Sequence, residues 1–530
     1  PEGIAVLGLL GALAFVAVTG KKSLKLTTAK MAGAKELGNA RLKARKQRKN
    51  PQKNSYTLWI GSPTPDYPQS SLWIPDAQRS IAALGGPGSG KTFSSINPLI
   101  ESALQQGIPV GIYDKKGDQL ELFAPLAAQY GYEVGIFAPG EQYSICINPL
   151  DILHSPEDAT GASELAKVLL GNSSNDKGDS FFTDAAVNVL KGLFQMAKST
   201  IYPDFGMVYA LLSLSNLVGR LELAVREEKM SRWIGSAFTQ LISTKDSEKT
   251  VASIVSSATG MFSQFIEPDI LRCLMGASTM PLRIEGKKII IFKLNEARRN
   301  AVSPIIAAVI DSFVSANFAQ GRQDPCVISL DELPSMYFEK LPYWINELRS
   351  AGSGFILGVQ NMKQLYEKYG DNLGAAIFSA CNTKMIFNPG EKEAAQEFSD
   401  FWGQTEINLK NKSVSHSKEG KSTSKGEQLQ QKPLISVDDI LGFMEGHCVI
   451  TSSAYNDGKR ANYPYQTKIH IPSEQIARFK KAEGLWQSVK QRLVTRSQLA
   501  SNHDLAQQLE ERISLAESLL PLPVSNTNDF

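Results

Sequence analysis

The hydrophobic pattern begins with an uninterrupted run. From Gly3 to Gly20 the chain carries no charge, and Lys21, Lys22, Lys25 and Lys30 follow it. A helix over these residues would be about 27 Å long at about 1.5 Å per residue, close to the roughly 30 Å of a bilayer's hydrocarbon. The pattern predicts a transmembrane helix over 1–20, and the basic flank places the C-terminal side in the cytoplasm. A signal peptide would carry its charge ahead of the apolar run and small cleavage residues after it. The chain opens on Pro1 rather than Met, so further sequence ahead of it, another span included, is expected.

After this run the periodicity changes. Arg41–Lys53 reads as a solvated charge run, either a flexible basic linker or a contact for anionic headgroups, within a juxtamembrane linker over 21–55. Tyr56–Pro75 reads as strands and turns. Short apolar runs of strand length then recur at Ile81–Leu84, Ile108–Tyr113 and Glu133–Phe137, with helical segments between them. That alternation predicts an α/β domain with a mostly parallel sheet. Glu157–Leu271 loses the strand signal and shows amphipathic stretches such as Ala159–Leu170, Phe181–Ala197 and Asn216–Glu228, an all-α insertion over 157–275. Strands resume at Lys288–Lys293, Cys326–Leu330, Gly354–Val359, Thr383–Phe387 and His447–Thr451, with helices such as Val302–Ala319 between them. The α/β domain is therefore split into 56–156 and 276–475. Residues 404–432 are rich in Ser, Lys, Gln and Gly, and predict a mobile loop. Ser473–Leu519 reads as terminal helices, with 476–530 as a C-terminal unit of helices and tail.

Charge changes the picture at one place. The net charge is +3, but residues 21–50 alone carry eleven Lys/Arg against one acid. Set against that +10 and Glu2, the remainder from 51 onward carries −6. A general basic footprint on the soluble body is thereby excluded, so any nucleic-acid contact there is a local patch or channel. The five cysteines show no C-x-x-C spacing and the five histidines pair with none of them, which argues against a disulfide framework or a zinc site.

The candidate chemistry starts where the first strand of the α/β domain ends. Gly85-Gly86-Pro87-Gly88-Ser89-Gly90-Lys91-Thr92 fits G-x-x-x-x-G-K-[ST] without a mismatch. Its glycines let successive N–H groups turn toward phosphate oxygens, and the following helix presents its N-terminus to the same anion. Lys91 would reach the β- and γ-phosphates of ATP, and the Thr92 hydroxyl would ligate Mg²⁺. A second strand, Cys326–Leu330, ends in Asp331-Glu332: Asp331 as the partner of Mg²⁺, Glu332 as the carboxylate that polarises the attacking water. Gln360 closes the next strand and is a candidate to sense the γ-phosphate or to position the water. Arg349, just before that strand, is the candidate arginine finger, with Arg298 and Arg299 as rivals. The Asp114–Asp118 stretch closes a strand near the nucleotide and has no further role legible from its residues.

These stretches together resemble the type IV coupling proteins of bacterial conjugation and type IV secretion, the TraG/TraD group. The resemblance is carried by GGPGSGKTFSSINPLI, YDKKGDQ, ICINPLDIL, SLDELPSM and VQNMKQLYEKYGDN, and by KPLISVDDIL and HCVITSS after the polar loop. The N-terminal span and AKMAGAKEL extend it across nearly the whole chain. It implies a RecA-like ATPase domain facing the cytoplasm from the bacterial inner membrane, an all-α domain at its entrance, and a homo-hexamer. It also implies ATP and Mg²⁺ as cofactors. The partners it implies are single-stranded and also double-stranded DNA, a relaxase and the channel proteins of a type IV secretion system. One departure is that the family typically has two spans and only one is present here. Two other functions compete: a DNA motor of the FtsK/HerA type, which shares the nucleotide chemistry but is disfavoured by the helical insertion, and an ATP-binding docking receptor for protein cargo, which the acidic body permits.

Overall fold

The computed structural model describes residues 29–62, 71–173, 180–318, 321–417, 420–458, 462–500 and 504–523. The apolar run Gly3–Gly20 lies outside them. The strands are β1 (Thr57–Ile60), β2 (Leu72–Pro75), β3 (Ile81–Leu84), β4 (Val110–Asp114), β5 (Glu133–Phe137), β6 (Lys288–Lys293), β7 (Cys326–Leu330), β8 (Ser353–Val359), β9 (Thr383–Ile386), β10 (Gln404–Ser417), β11 (Gly420–Pro433), β12 (His447–Ser452) and β13 (Tyr465–Lys468).

Nine of these form one sheet in the order β13-β12-β9-β3-β8-β7-β4-β6-β5. From β9 to β5 every neighbour is parallel, and β12 and β13 extend one edge antiparallel. β3 and β7 are buried along their whole length. Both faces of the sheet are covered by helices, which is why these strands read as continuous apolar runs rather than alternating ones. Ile81 and Ala83 pack into a core with the helices Asn97–Gln105 and Asp118–Gln129; Ala82 and Leu84 pack into the other core, with the helix Arg299–Phe318. The segment Glu296–Phe318 is long and apolar enough to cross a membrane, but 83% of its apolar window is buried inside the protein, so it serves here as a core helix.

The insertion leaves from β5 and returns at β6, and its described elements between Ala159 and Leu271 are helices. Its helices Ala159–Ser173, Ser180–Lys198, Phe205–Leu212 and Glu248–Ser263 pack round Phe194, Phe205 and Phe262, with the rings of Phe205 and Phe262 5.3 Å apart. Its core is continuous with that of Arg299–Phe318. The insertion is therefore seated against the helix Arg299–Phe318 that covers this face of the sheet.

Two sequence expectations are corrected, and one strand was not foreseen. The charge run Arg41–Lys53 is no flexible linker over its first part: Ala34–Lys49 is a helix that buries Ala40 and Ala44 against β1 and β2. Lys43 pairs with Asp76, Gln47 Nε2 donates to Asp76 Oδ1 at 2.7 Å, and Arg48 lies over the Trp59 ring. Its lysines and arginines sit on the solvent side, so charge density hid a docked helix. Residues 404–432, expected as a loop, form the antiparallel pair β10–β11, registered from Gln404 opposite Pro433 to Ser417 opposite Gly420. The backbone groups of this ladder satisfy one another, and no hydrophobic period in the sequence marked it. The edge strand β13 carried too few apolar residues to be read.

Ser473–Leu519 is two helices with different attachments. Ser473–Ala500 packs on Asp118–Gln129, while Leu505–Leu519 packs on Phe205–Leu212 of the insertion. There Arg512 and Asp204, 4% and 1% exposed, form a buried ion pair. Glu101 on the first helix after the glycine loop is wholly buried and accepts from Arg478 Nε at 3.0 Å.

Candidate nucleotide site

β3 delivers the glycine loop to the C-terminal edge of the sheet, between β8 and β9. Both neighbours hold its root: Gly85 N–H donates to Val359 O at 3.1 Å and Gly86 N–H to Asn388 O at 2.9 Å. Gly90 has φ +82°, and a Cβ there would lie 2.8 Å from Glu445 Cγ, so the turn requires glycine twice over. Pro87 and Gly88 remain exposed at the rim. The chain then passes through a wide helical turn, Thr92–Ile96, into Asn97–Gln105, so the helix N-terminus faces the loop.

Two donors in this loop have nothing to donate to. Lys91 is 6% exposed, and its Nζ and the Ser89 hydroxyl are buried without a hydrogen-bond partner. The nearest carboxylate to Lys91 is Asp331, 3.5 Å from Nζ to Oδ1. A buried ammonium and hydroxyl left over at a helix N-terminus fit phosphate oxygens. Thr92 Oγ1 donates to Asp331 Oδ2 at 2.7 Å, across 239 residues of chain. That hydroxyl–carboxylate pair fits Mg²⁺, which takes one or two protein oxygens and fills the rest of its shell with phosphate and water. Among the described residues no cluster of three or more His, Cys, Asp or Glu could hold a metal by itself. Asp331 has room because β8 carries Gly358 beside it: a Cβ there would meet Asp331 Oδ1 at 2.0 Å.

Glu332 stands next to Asp331 with φ +59°, a left-handed conformation uncommon for a residue with a side chain. Gln360 does not stand alone at its strand end: its Nε2 donates to both Glu332 oxygens, at 2.8 and 2.7 Å. Asp114, unassigned by the sequence, is an organiser. Its carboxylate accepts from the N–H groups of Lys116, Gly117 and Leu120, at 3.1, 2.8 and 2.6 Å, and so caps the helix Asp118–Gln129. Burial holds its carboxyl above the usual range against the pull of those N–H groups. The segment before β12 also reaches the loop, with Gly446 N–H donating to Ser89 O at 3.0 Å. No local motif marks Gly358, Gly446 or the Gln360–Glu332 contact, since each depends on which strands lie side by side.

The three arginines fall in different places. Arg349 is exposed on the short helical turn Leu348–Ala351 that enters β8, at the end of the sheet opposite the glycine loop. Arg298 and Arg299 follow β6 on the same end as the loop; Arg298 pairs with Glu267 at 3.2 Å, and Arg299 is exposed.

Residues 71–460 match the family described as the DNA-binding domain of type IV secretion-system coupling proteins. The coupling protein TraD of Escherichia coli K12 is 24% identical over 419 residues, covering 74% of this chain and 54% of TraD. The chain thus spans about half the length of that relative. Among solved structures, the unbound conjugative coupling protein TrwBdeltaN70 has a TM-score of 0.60 at 14% identity, covering 84% of this chain and 94% of that one. TrwB in complex with ADP and Mg²⁺ has a TM-score of 0.56 at 14% identity, covering 75% and 86%. These likenesses show that the α/β fold is shared.

Proposed function

This chain belongs to the type IV secretion-system coupling proteins, and from that premise we propose that it is a magnesium-dependent ATPase that couples a relaxase–DNA substrate to a secretion channel. The reading places it at the bacterial inner membrane, as a homo-hexamer that moves single-stranded DNA. The observation that carries it is the junction of Thr92, Lys91 and Asp331, drawn from two strand ends 239 residues apart. TrwB, solved with ADP and Mg²⁺, supports the choice of cofactors.

In this reading the loop N–H groups, Lys91 and Ser89 bind and neutralise the phosphates, and Thr92 with Asp331 holds the metal. Magnesium, held there, would supply positive charge that neutralises the phosphate oxygens. Glu332 accepts a hydrogen bond from the attacking water. The water oxygen forms the new bond to the γ-phosphorus, the bond to the ADP oxygen breaks, and the water's proton passes to Glu332. Gln360, donating to Glu332, orients that carboxylate.

Two variants test the site. Lys91→Ala abolishes productive ATP binding or turnover. Glu332→Gln keeps ATP binding and loses most hydrolysis. Wild-type turnover in Glu332→Gln removes Glu332 from the reaction. Turnover stimulated by single-stranded DNA is expected of a motor; ATP binding without such stimulation favours the docking receptor.

A further inference from the structure

The Asp114–Asp118 motif takes no part in the hydrolysis scheme, although β4 brings it beside the reacting carboxylate. In the sheet, β7 lies between β8 and β4, so Glu332 at the end of β7 is flanked by the segments into which those two strands run. From β8 comes Gln360. From β4 comes Lys116, with its Nζ 4.0 Å from Glu332 Oε1.

That approach is built by β4 itself. Its last residue, Asp114, fixes the loop through three backbone N–H groups, those of Lys116 and Gly117 among them. Gly117 has φ +101°, which lets the loop turn sharply ahead of the helix. The residue before Asp114, Tyr113, is tied to the other side: its hydroxyl is 2.8 Å from Ser335 Oγ, which donates to Glu332 O at 2.7 Å. One strand end thus holds both the turn that carries Glu332 and the loop that carries Lys116. Lys115, one residue earlier, has no ion pair with Glu332.

We propose that Lys116 is a positioning residue for hydrolysis, an ammonium that with Gln360 brackets the Glu332 carboxylate and holds it toward the attacking water. The inference rests on the ATPase reading. Glu332 starts from an uncommon backbone conformation beside a second carboxylate, so a single neutral donor is a weak restraint on it. Lys91 cannot serve, since it is buried against Asp331. A cation on the opposite side from Gln360 confines the carboxylate without entering the phosphate site, and Lys116, 63% exposed, is free to do so. Because its effect passes through Glu332, it belongs to turnover and not to ATP affinity.

The experiment uses the full chain. Lys116→Met keeps the side chain's length at a solvent-exposed position, which spares the fold. Its kcat is expected to fall about tenfold, with KM unchanged within about twofold. Lys116→Arg should recover most of the loss, and Lys115→Met should match wild type. In a Glu332→Gln background, Lys116→Met should have no further effect, because the group it positions is gone. Outside turnover, Lys116→Met should bind ADP as wild type does and ADP–aluminium fluoride about tenfold more weakly. Wild-type turnover in Lys116→Met, or an undiminished effect of it in the Glu332→Gln background, overturns the assignment. A wild-type chain that binds ATP and never hydrolyses it overturns the ATPase reading itself, a distinguishable result.

Discussion

At the scale of single residues, the site is made as much by missing side chains as by present ones. Gly90 leaves space for Glu445 and Gly446, and Gly358 leaves space for the Asp331 carboxylate. Gly358→Ala would press a methyl carbon to about 2 Å from Asp331 Oδ1 unless something moves. Any shift of Asp331 would disturb the carboxylate that accepts from Thr92 Oγ1 at 2.7 Å and from Glu332 N–H at 3.0 Å and lies 3.5 Å from Lys91 Nζ. ATPase activity is therefore expected to fall at least about tenfold, with a stability loss of about 1–3 kcal/mol typical of overpacking. Turnover and thermal melts on one preparation check both figures; an active, unshifted Gly358→Ala would mean the carboxylate has other room.

At the scale of elements, the core helix Arg299–Phe318 carries a buried acid, Asp311, facing the insertion helix Ala159–Ser173. It lines a recess with His154, Asp158 and Glu164. Burial pushes its carboxyl from 3.8 up to about 6, with Lys340 opposing and Glu164 reinforcing the rise. The folded chain thus holds this proton to higher pH than the unfolded chain, and stability falls as pH rises from about 4 to about 6, then stays reduced. The penalty above pH 6 is about 3 kcal/mol from a shift of about two units. Asp311→Asn removes the ionisation, so it should stabilise the protein by up to that amount at pH 7.5 and by roughly half as much near pH 5. Denaturant melts at the two pH values give the answer; a gain as large at pH 5 as at pH 7.5 would rule out the titration.

Across the whole molecule, the C-terminal helices attach one to each domain. Arg478 reaches the buried Glu101 behind the glycine loop, and Arg512 reaches the buried Asp204 of the insertion. The insertion is thereby joined to the nucleotide domain by the chain's end as well as by its own two connections. Arg349 raises the matter of assembly. It enters β8 at the end away from the glycine loop, and seven residues of strand span about 23 Å. It is out of reach of its own nucleotide site, so any part it plays in turnover is played at a neighbour's. Arg349→Ala should keep ATP affinity and lose turnover by a large factor; arginine fingers in trans reach about 10³–10⁵. Lys91→Ala and Arg349→Ala, each inactive alone, should regain some activity when mixed. If the mixed subunits co-assemble without recovery, Arg299, exposed on the loop's side of the sheet, becomes the arginine to test next.

The glycine-rich loop, the Asp331-Glu332 pair, the parallel strand rhythm and the helical stretch between β5 and β6 were all legible in the sequence. Each is written in contiguous residues: a turn needs its glycines in a row, and a strand buried on both faces needs an unbroken apolar run. What the tertiary structure decided is adjacency. Whether Gln360 meets a phosphate or Glu332, and whether Lys116 is a surface charge or a partner of Glu332, depends on β7 lying between β8 and β4. No local periodicity records the order of strands in a sheet. The helix Ala34–Lys49 and the ladder β10–β11 were missed for a related reason: one is held by a narrow alanine face beneath dense charge, the other by backbone hydrogen bonds, which every sequence carries alike.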